Sequence, residues 1–105
     1  MNFTQHYDDT ISDLDERLSV LIDKGADLEF EKSGEVLTII FPDKAKFIIS
    51  PNSPVNQLWV SANYEGHRFD FDGAQLVWID EKTGQEFHEY FSRLLSDKLG
   101  QEVEM

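Results

Sequence analysis

Carboxylates are the residues most able to do chemistry in this chain, and they crowd its first third. Asp8, Asp9, Asp13, Asp15, Glu16 and Asp23 fall in a stretch with helical periodicity, and Asp27, Glu29 and Glu31 follow at every second position of an alternating one. Only Arg17 and Lys24 stand among the first six to neutralise them. Like charges held on one folded surface repel, so the arrangement is unfavourable unless a cation or a basic partner relieves it. Oxygen-only donors select hard cations such as Ca2+, Mn2+ and Fe3+ and accept Fe2+. On a convex helix and an edge-like strand each ion would meet one or two carboxylates plus water, so binding is expected to be micromolar or weaker, about −8 kcal/mol at best. His6, one turn before Asp9, is the imidazole nearest these acids, and with Asp9 or Asp13 it is a candidate mixed nitrogen and oxygen site for Co2+ or Fe2+. Acids on a helix face can also be merely solubilising, but ordinary surfaces intersperse both signs.

Composition narrows the alternatives. With 105 residues the chain is expected to form one domain (1–105). The formal charge of −12 argues against nucleic acid and against an anionic membrane surface, both of which need Lys and Arg. With no Cys, disulfides, thiolate metal sites and Cys nucleophiles are excluded. The first residues lack the basic and apolar regions of a signal peptide, and no apolar run approaches the ~20 residues of a membrane span. A soluble cytoplasmic protein is the expectation.

The elements that must position the acids follow from periodicity. Phe3, Tyr7, Ile11, Leu14, Leu18, Leu21 and Ile22 make one apolar stripe on a helix over residues 2–24, with Asp9, Asp13 and Glu16 nearly opposite and Asp8 and Asp15 on one flank. Lys24-Gly25 ends it. Six short strands are predicted next: 27–32, 36–41, 46–50, 57–62, 67–71 and 76–79. Their connections are too short for crossover helices, so the sheet should be antiparallel. Thr83 reads as the N-cap of a second helix, with Glu86 completing a capping box. Phe87, Tyr90, Phe91, Leu94, Leu95 and Leu99 form its stripe, Gly100 its stop, and residues 101–105 a frayed polar tail. The expected fold class is α+β: a two-layer sandwich with N- and C-terminal helices on one face of a roughly six-stranded antiparallel sheet.

With Leu58 and Val60 turned to the helices, Trp59 should project from the open sheet face beside Gln57, as a partner anchor or packed under Arg68. Trp78 reads as core or sheet edge. His67 and Asp70 lie on opposite strand faces and His88 in solvent. No phosphate loop, nucleophile elbow or zinc spacing occurs, so no catalytic residue is assigned.

Taken together, the acidic first helix and strand, Asp15-Glu16-Arg17-Leu18, Gly34-Glu35-Val36-Leu37-Thr38-Ile39, Asn56-Gln57-Leu58-Trp59-Val60, His67-Arg68-Phe69-Asp70 and Thr83-Gly84-Gln85-Glu86-Phe87 resemble the frataxin family, most of all its short bacterial form. The resemblance spans nearly the whole chain. It implies a helix–sheet–helix fold, weak iron binding (Fe2+ or Fe3+) by surface carboxylates, and a role in iron–sulfur cluster assembly exercised on a cysteine desulfurase and its scaffold protein, as regulator, iron donor or both. The family's acidic ridge carries over to Asp8, Asp9, Asp13, Asp15, Glu16, Asp23, Asp27, Glu29 and Glu31, and its exposed sheet Trp to Trp59, with Asn56, Gln57, Asp27, Glu29 and Glu31 as further partner contacts. Ser19, Val20 and Leu21 interrupt the acidic run found in relatives. A monomer that oligomerises with iron is expected. Two other classes remain beside this one: a ferroxidase, which would need a partly buried iron site, and a generic acidic interaction module indifferent to metal.

Overall fold

A computed structural model describes residues 2–105. Helix α1 spans Phe3–Asp23, followed by strands β1 (Glu29–Ser33), β2 (Val36–Ile40), β3 (Lys46–Asn52), β4 (Gln57–Ala62), β5 (Glu65–Asp72) and β6 (Val77–Asp80), and helix α2 (Phe87–Leu99). The strands form one antiparallel sheet in sequence order, leaving β1 and β6 as its edges. This is the expected two-layer α+β sandwich. Among the described residues, no helix is long and apolar enough to cross a membrane.

Alternation along each strand decides which side chains meet the helices. Leu37, Ile39, Phe47, Ile49, Leu58, Val60, Phe69 and Trp78 turn inward and are buried against Tyr7, Ile11, Leu14 and Leu18 of α1 and Phe87, Phe91 and Leu95 of α2. The Trp78 indole N–H donates to the Thr10 hydroxyl at 2.8 Å, so this tryptophan belongs to the core and ties β6 to α1. Ile22, expected in the helix stripe, is 37% exposed at the last turn.

Asn2 caps α1: its side chain accepts from the Gln5 N–H while Gln5 reaches back to the Asn2 N–H. Three local expectations are corrected. Thr83 does not cap α2. Asp80 draws the Lys82 and Thr83 amides onto its carboxylate, Gly84 takes a left-handed φ of 74°, and the chain becomes helical only at Phe87, with Glu86 as N-cap accepting from His88 and Glu89. The tail over 101–105 is not frayed. Val103 and Met105 are buried, the Ser96 hydroxyl accepts from the Val103 N–H, the Ser92 hydroxyl accepts from the Met105 N–H, and His88 bonds the Met105 carbonyl at 2.9 Å instead of lying in solvent.

Candidate functional site: an acidic edge and an open sheet face

Helical rotation distributes the α1 acids over two flanks. On one side the Tyr7 hydroxyl donates to the Glu35 carbonyl at 2.6 Å, fixing α1 against the β1–β2 turn. Burial first, then the charges of Glu35 and Asp8, push the Tyr7 phenol far above its usual value. Asp8 therefore sits over the β1 end of the sheet, and Asp15 follows two turns later on the same flank. On the other side Asp13, Glu16, Arg17 and Lys24 border a groove shared with Glu102 and Glu104 of the docked tail. Arg17 bridges Asp13 there at 3.0 Å.

The β1 acids occupy the other layer. Phe30 pairs with the inward Ile39, so Glu29 and Glu31, paired with Ile40 and Thr38, project from the face opposite the helices. Asp27 precedes β1 and is exposed beside Pro42 and Phe41. The acids thus wrap around edge strand β1, from α1 on one layer to the open face on the other. Among the described residues, Asp13 alone of the acids singled out in the sequence has an ion-pair partner; Asp8, Asp9, Asp15, Glu16, Asp23, Asp27, Glu29 and Glu31 have none. No three His, Asp or Glu side chains among the described residues converge as ligands of one ion. That donor set fits a cation sharing one or two carboxylates with water, not a closed site. His6 lies half-buried with its ring stacked on Phe71, centroids 3.9 Å apart, on the flank away from Asp8 and Asp15.

Trp59 stands where the alternation puts it, half-exposed on the open face, paired in register with Ser50 and Arg68. The Arg68 guanidinium lies over its ring at 4.8 Å. Gln57 is buried rather than presented as a partner contact. Its carbonyl oxygen accepts the Trp59 indole N–H at 3.0 Å, and its amide donates to Asp70 and Glu81. Gln57 therefore sets the orientation of Trp59. Asn56 is exposed in a left-handed turn just before β4.

One pair was not found by sequence reasoning. His67 turns to the helix side and its Nδ1 bonds buried Asp80 at 2.8 Å, with Glu65 at 3.4 Å from Nε2 and Tyr90 of α2 against the ring. Burial, then Glu65 and Asp80, push the Tyr90 phenol up to about 12. The signal was available in register: Phe69 pairs with Asp80, placing His67 two residues away on the same face.

A family model described as Frataxin-like domain matches residues 1–101. The iron–sulfur cluster assembly protein CyaY of Pseudoalteromonas atlantica is 37% identical over 95 residues, covering 88% of this chain and 83% of that protein. CyaY of Azotobacter vinelandii is 31% identical over 106 residues, covering 99% and 96%. The solved frataxin of Psychromonas ingrahamii superposes with a TM-score of 0.83 at 26% identity, over 99% of this chain and 97% of that one. The chain belongs to the frataxin family, on its bacterial CyaY side.

Proposed function

We propose that this protein serves iron–sulfur cluster assembly, the role its CyaY relatives are named for, and does so in the cytoplasm by presenting an acidic edge to a basic surface of a cysteine desulfurase and to weakly held iron. The observation that carries the reading is the set of exposed acids around β1 and the adjoining flank of α1 that lack ion-pair partners among the described residues. Their charge would speed encounter with a basic partner and lose effect in salt. Iron is cargo here, held by one or two carboxylates and water; Asp8, Asp15, Asp23, Asp27, Glu29 and Glu31 are the proposed ligands. Trp59, with Asn56 beside it, is the proposed contact for the scaffold protein, oriented by Gln57 and Arg68. Regulation of the desulfurase and delivery of iron would use the same acids. A ferroxidase reading draws less support, since the one buried carboxylate among the described residues, Asp80, is occupied by His67 and two backbone amides.

The experiment is capture of a purified cysteine desulfurase by the wild type and by the triple variant Asp27→Lys, Glu29→Lys, Glu31→Lys. The variant should fold and lose capture, and wild-type capture should weaken as salt rises. Undiminished capture by the variant removes the β1 acids from the interface.

A further inference from the structure

Where β6 ends at Asp80, the chain continues as a turn over residues 81–84 and leaves a cleft of about 350 Å³ between that turn and the open face. The volume falls within the range of small-ligand pockets, roughly 300–1,000 Å³. Arg68 and Lys82 border it, and in this strongly acidic chain neither has an ion-pair partner among the described residues. The acids of the cleft are otherwise engaged: Asp80 accepts from His67, Lys82 N–H and Thr83 N–H, and Glu81 accepts from the Gln57 amide.

We propose that this cleft binds a small dicarboxylate, one carboxylate on the Arg68 guanidinium and the other toward Lys82. The Arg68 guanidinium lies over the Trp59 ring at 4.8 Å, and the planar N–H fork of a guanidinium matches a carboxylate bidentately. The hydroxyls of Ser61 and Thr83 line the same space, and Thr83, accepting from the Gln85 N–H, keeps its own proton to donate. A phosphate would favour a nest of backbone N–H groups. None is offered here: the amides of Glu81, Lys82, Thr83 and Gly84 donate to the Arg68 carbonyl, Asp80 and the Asp80 carbonyl. The proposal concerns a different ligand from the acidic edge and does not depend on it.

The test is a titration of the metal-free chain with malate, followed by NMR at constant ionic strength of about 0.15 M set with sodium chloride. The expected result is saturable shifts at the Trp59 indole and Lys82 amide in the low millimolar range. Arg68→Gln should weaken binding by about tenfold or more, the usual effect of losing hydrogen bonds to a charged group. Arg68→Lys, which keeps the charge without the fork, should lose most of the affinity as well. Arg68 is exposed, so each variant should retain the wild-type spectrum elsewhere. The proposal is overturned by absence of saturable shifts, by unchanged affinity in Arg68→Gln, by phosphate binding there while malate does not, or by an acidic hexapeptide binding where malate fails.

Discussion

His67 on β5 and Asp80 at the end of β6 share a 2.8 Å hydrogen bond inside the helix–sheet layer, and the same Asp80 carboxylate gathers the turn that leads into α2. One buried acid thus joins the sheet edge to the start of the second helix. Burial alone would raise its pKa, but the His67 bond, the two backbone N–H bonds and the His67 charge outweigh burial and hold it below the ordinary carboxylate value. A carboxyl depressed in the folded state stabilises above its unfolded pKa of about 3.9, and that contribution is lost as pH falls through the folded value.

Asp80→Asn should therefore lower stability at pH 7 by about 1–3 kcal/mol, through loss of the charge-assisted bonds. The deficit should shrink as pH falls below about 4, where the Asp80 carboxyl of the unfolded wild-type chain takes up a proton before the folded one does. Urea denaturation at pH 7 and pH 3 checks both parts. A deficit as large at pH 3 as at pH 7 would assign the loss to shape rather than charge.

The two tryptophans should separate cleanly. Trp78 is buried against Phe3 and Phe71 and bonded to Thr10, so Trp78→Ala should cost about 3–5 kcal/mol. Trp59→Ala loses a half-exposed ring and a contact with Arg68, worth about 0.5–1 kcal/mol at an exposed site. Trp59→Ala should thus stay folded by circular dichroism while losing capture of the scaffold protein. Scaffold capture equal to wild type would remove Trp59 from the proposed interface.

The docked tail gives a third prediction. Val103→Asp places an unpaired charge in a buried position between the helices and should destabilise by more than about 2 kcal/mol, whereas exposed Glu104→Ala should stay within about 0.5 kcal/mol. Comparable melting temperatures for Val103→Asp and wild type would mean that the tail contributes nothing to the fold in solution.

The layers were legible in the sequence because hydrophobic periodicity is a direct record of burial: the stripe Tyr7, Ile11, Leu14, Leu18 and the alternation around Leu58, Trp59 and Val60 have one self-consistent solution. What escaped was set by partners distant in the chain. Thr83 carries the composition of an N-cap, yet Asp80 captures its amide first, and nothing in the local pattern shows that competition. Val103 and Met105 look like stray apolar residues in a polar tail until Ser92 and Ser96 of α2 are in place to hold their backbone. Gln57 reads as an outward neighbour of Trp59, but it is buried, its amide donating to Asp70 of β5 and to Glu81 in the turn after β6. At the acidic edge, the types and spacing of the residues were readable. Their division between two layers depended on the register of β1 against β2, which places Glu29 and Glu31 opposite the helices.

Relief of repulsion among the acids is open to a simple thermal check. Ca2+ or Co2+ at millimolar concentration should raise the melting temperature, because the folded edge holds its carboxylates closer than the unfolded chain does. Asp13→Asn, which removes the one acid of this N-terminal set with an ion-pair partner among the described residues, should leave that cation-dependent increment nearly intact.

The most direct test of the acidic edge as a cation surface is a residue-resolved NMR titration with Co2+, whose unpaired electrons broaden nearby signals. Broadening should begin at Asp8, Asp15, Asp23, Asp27, Glu29 and Glu31, before it reaches exposed acids elsewhere such as Asp70, Asp97 and Glu102. Signals that fade uniformly over all exposed carboxylates, or do not fade at all, would contradict the account.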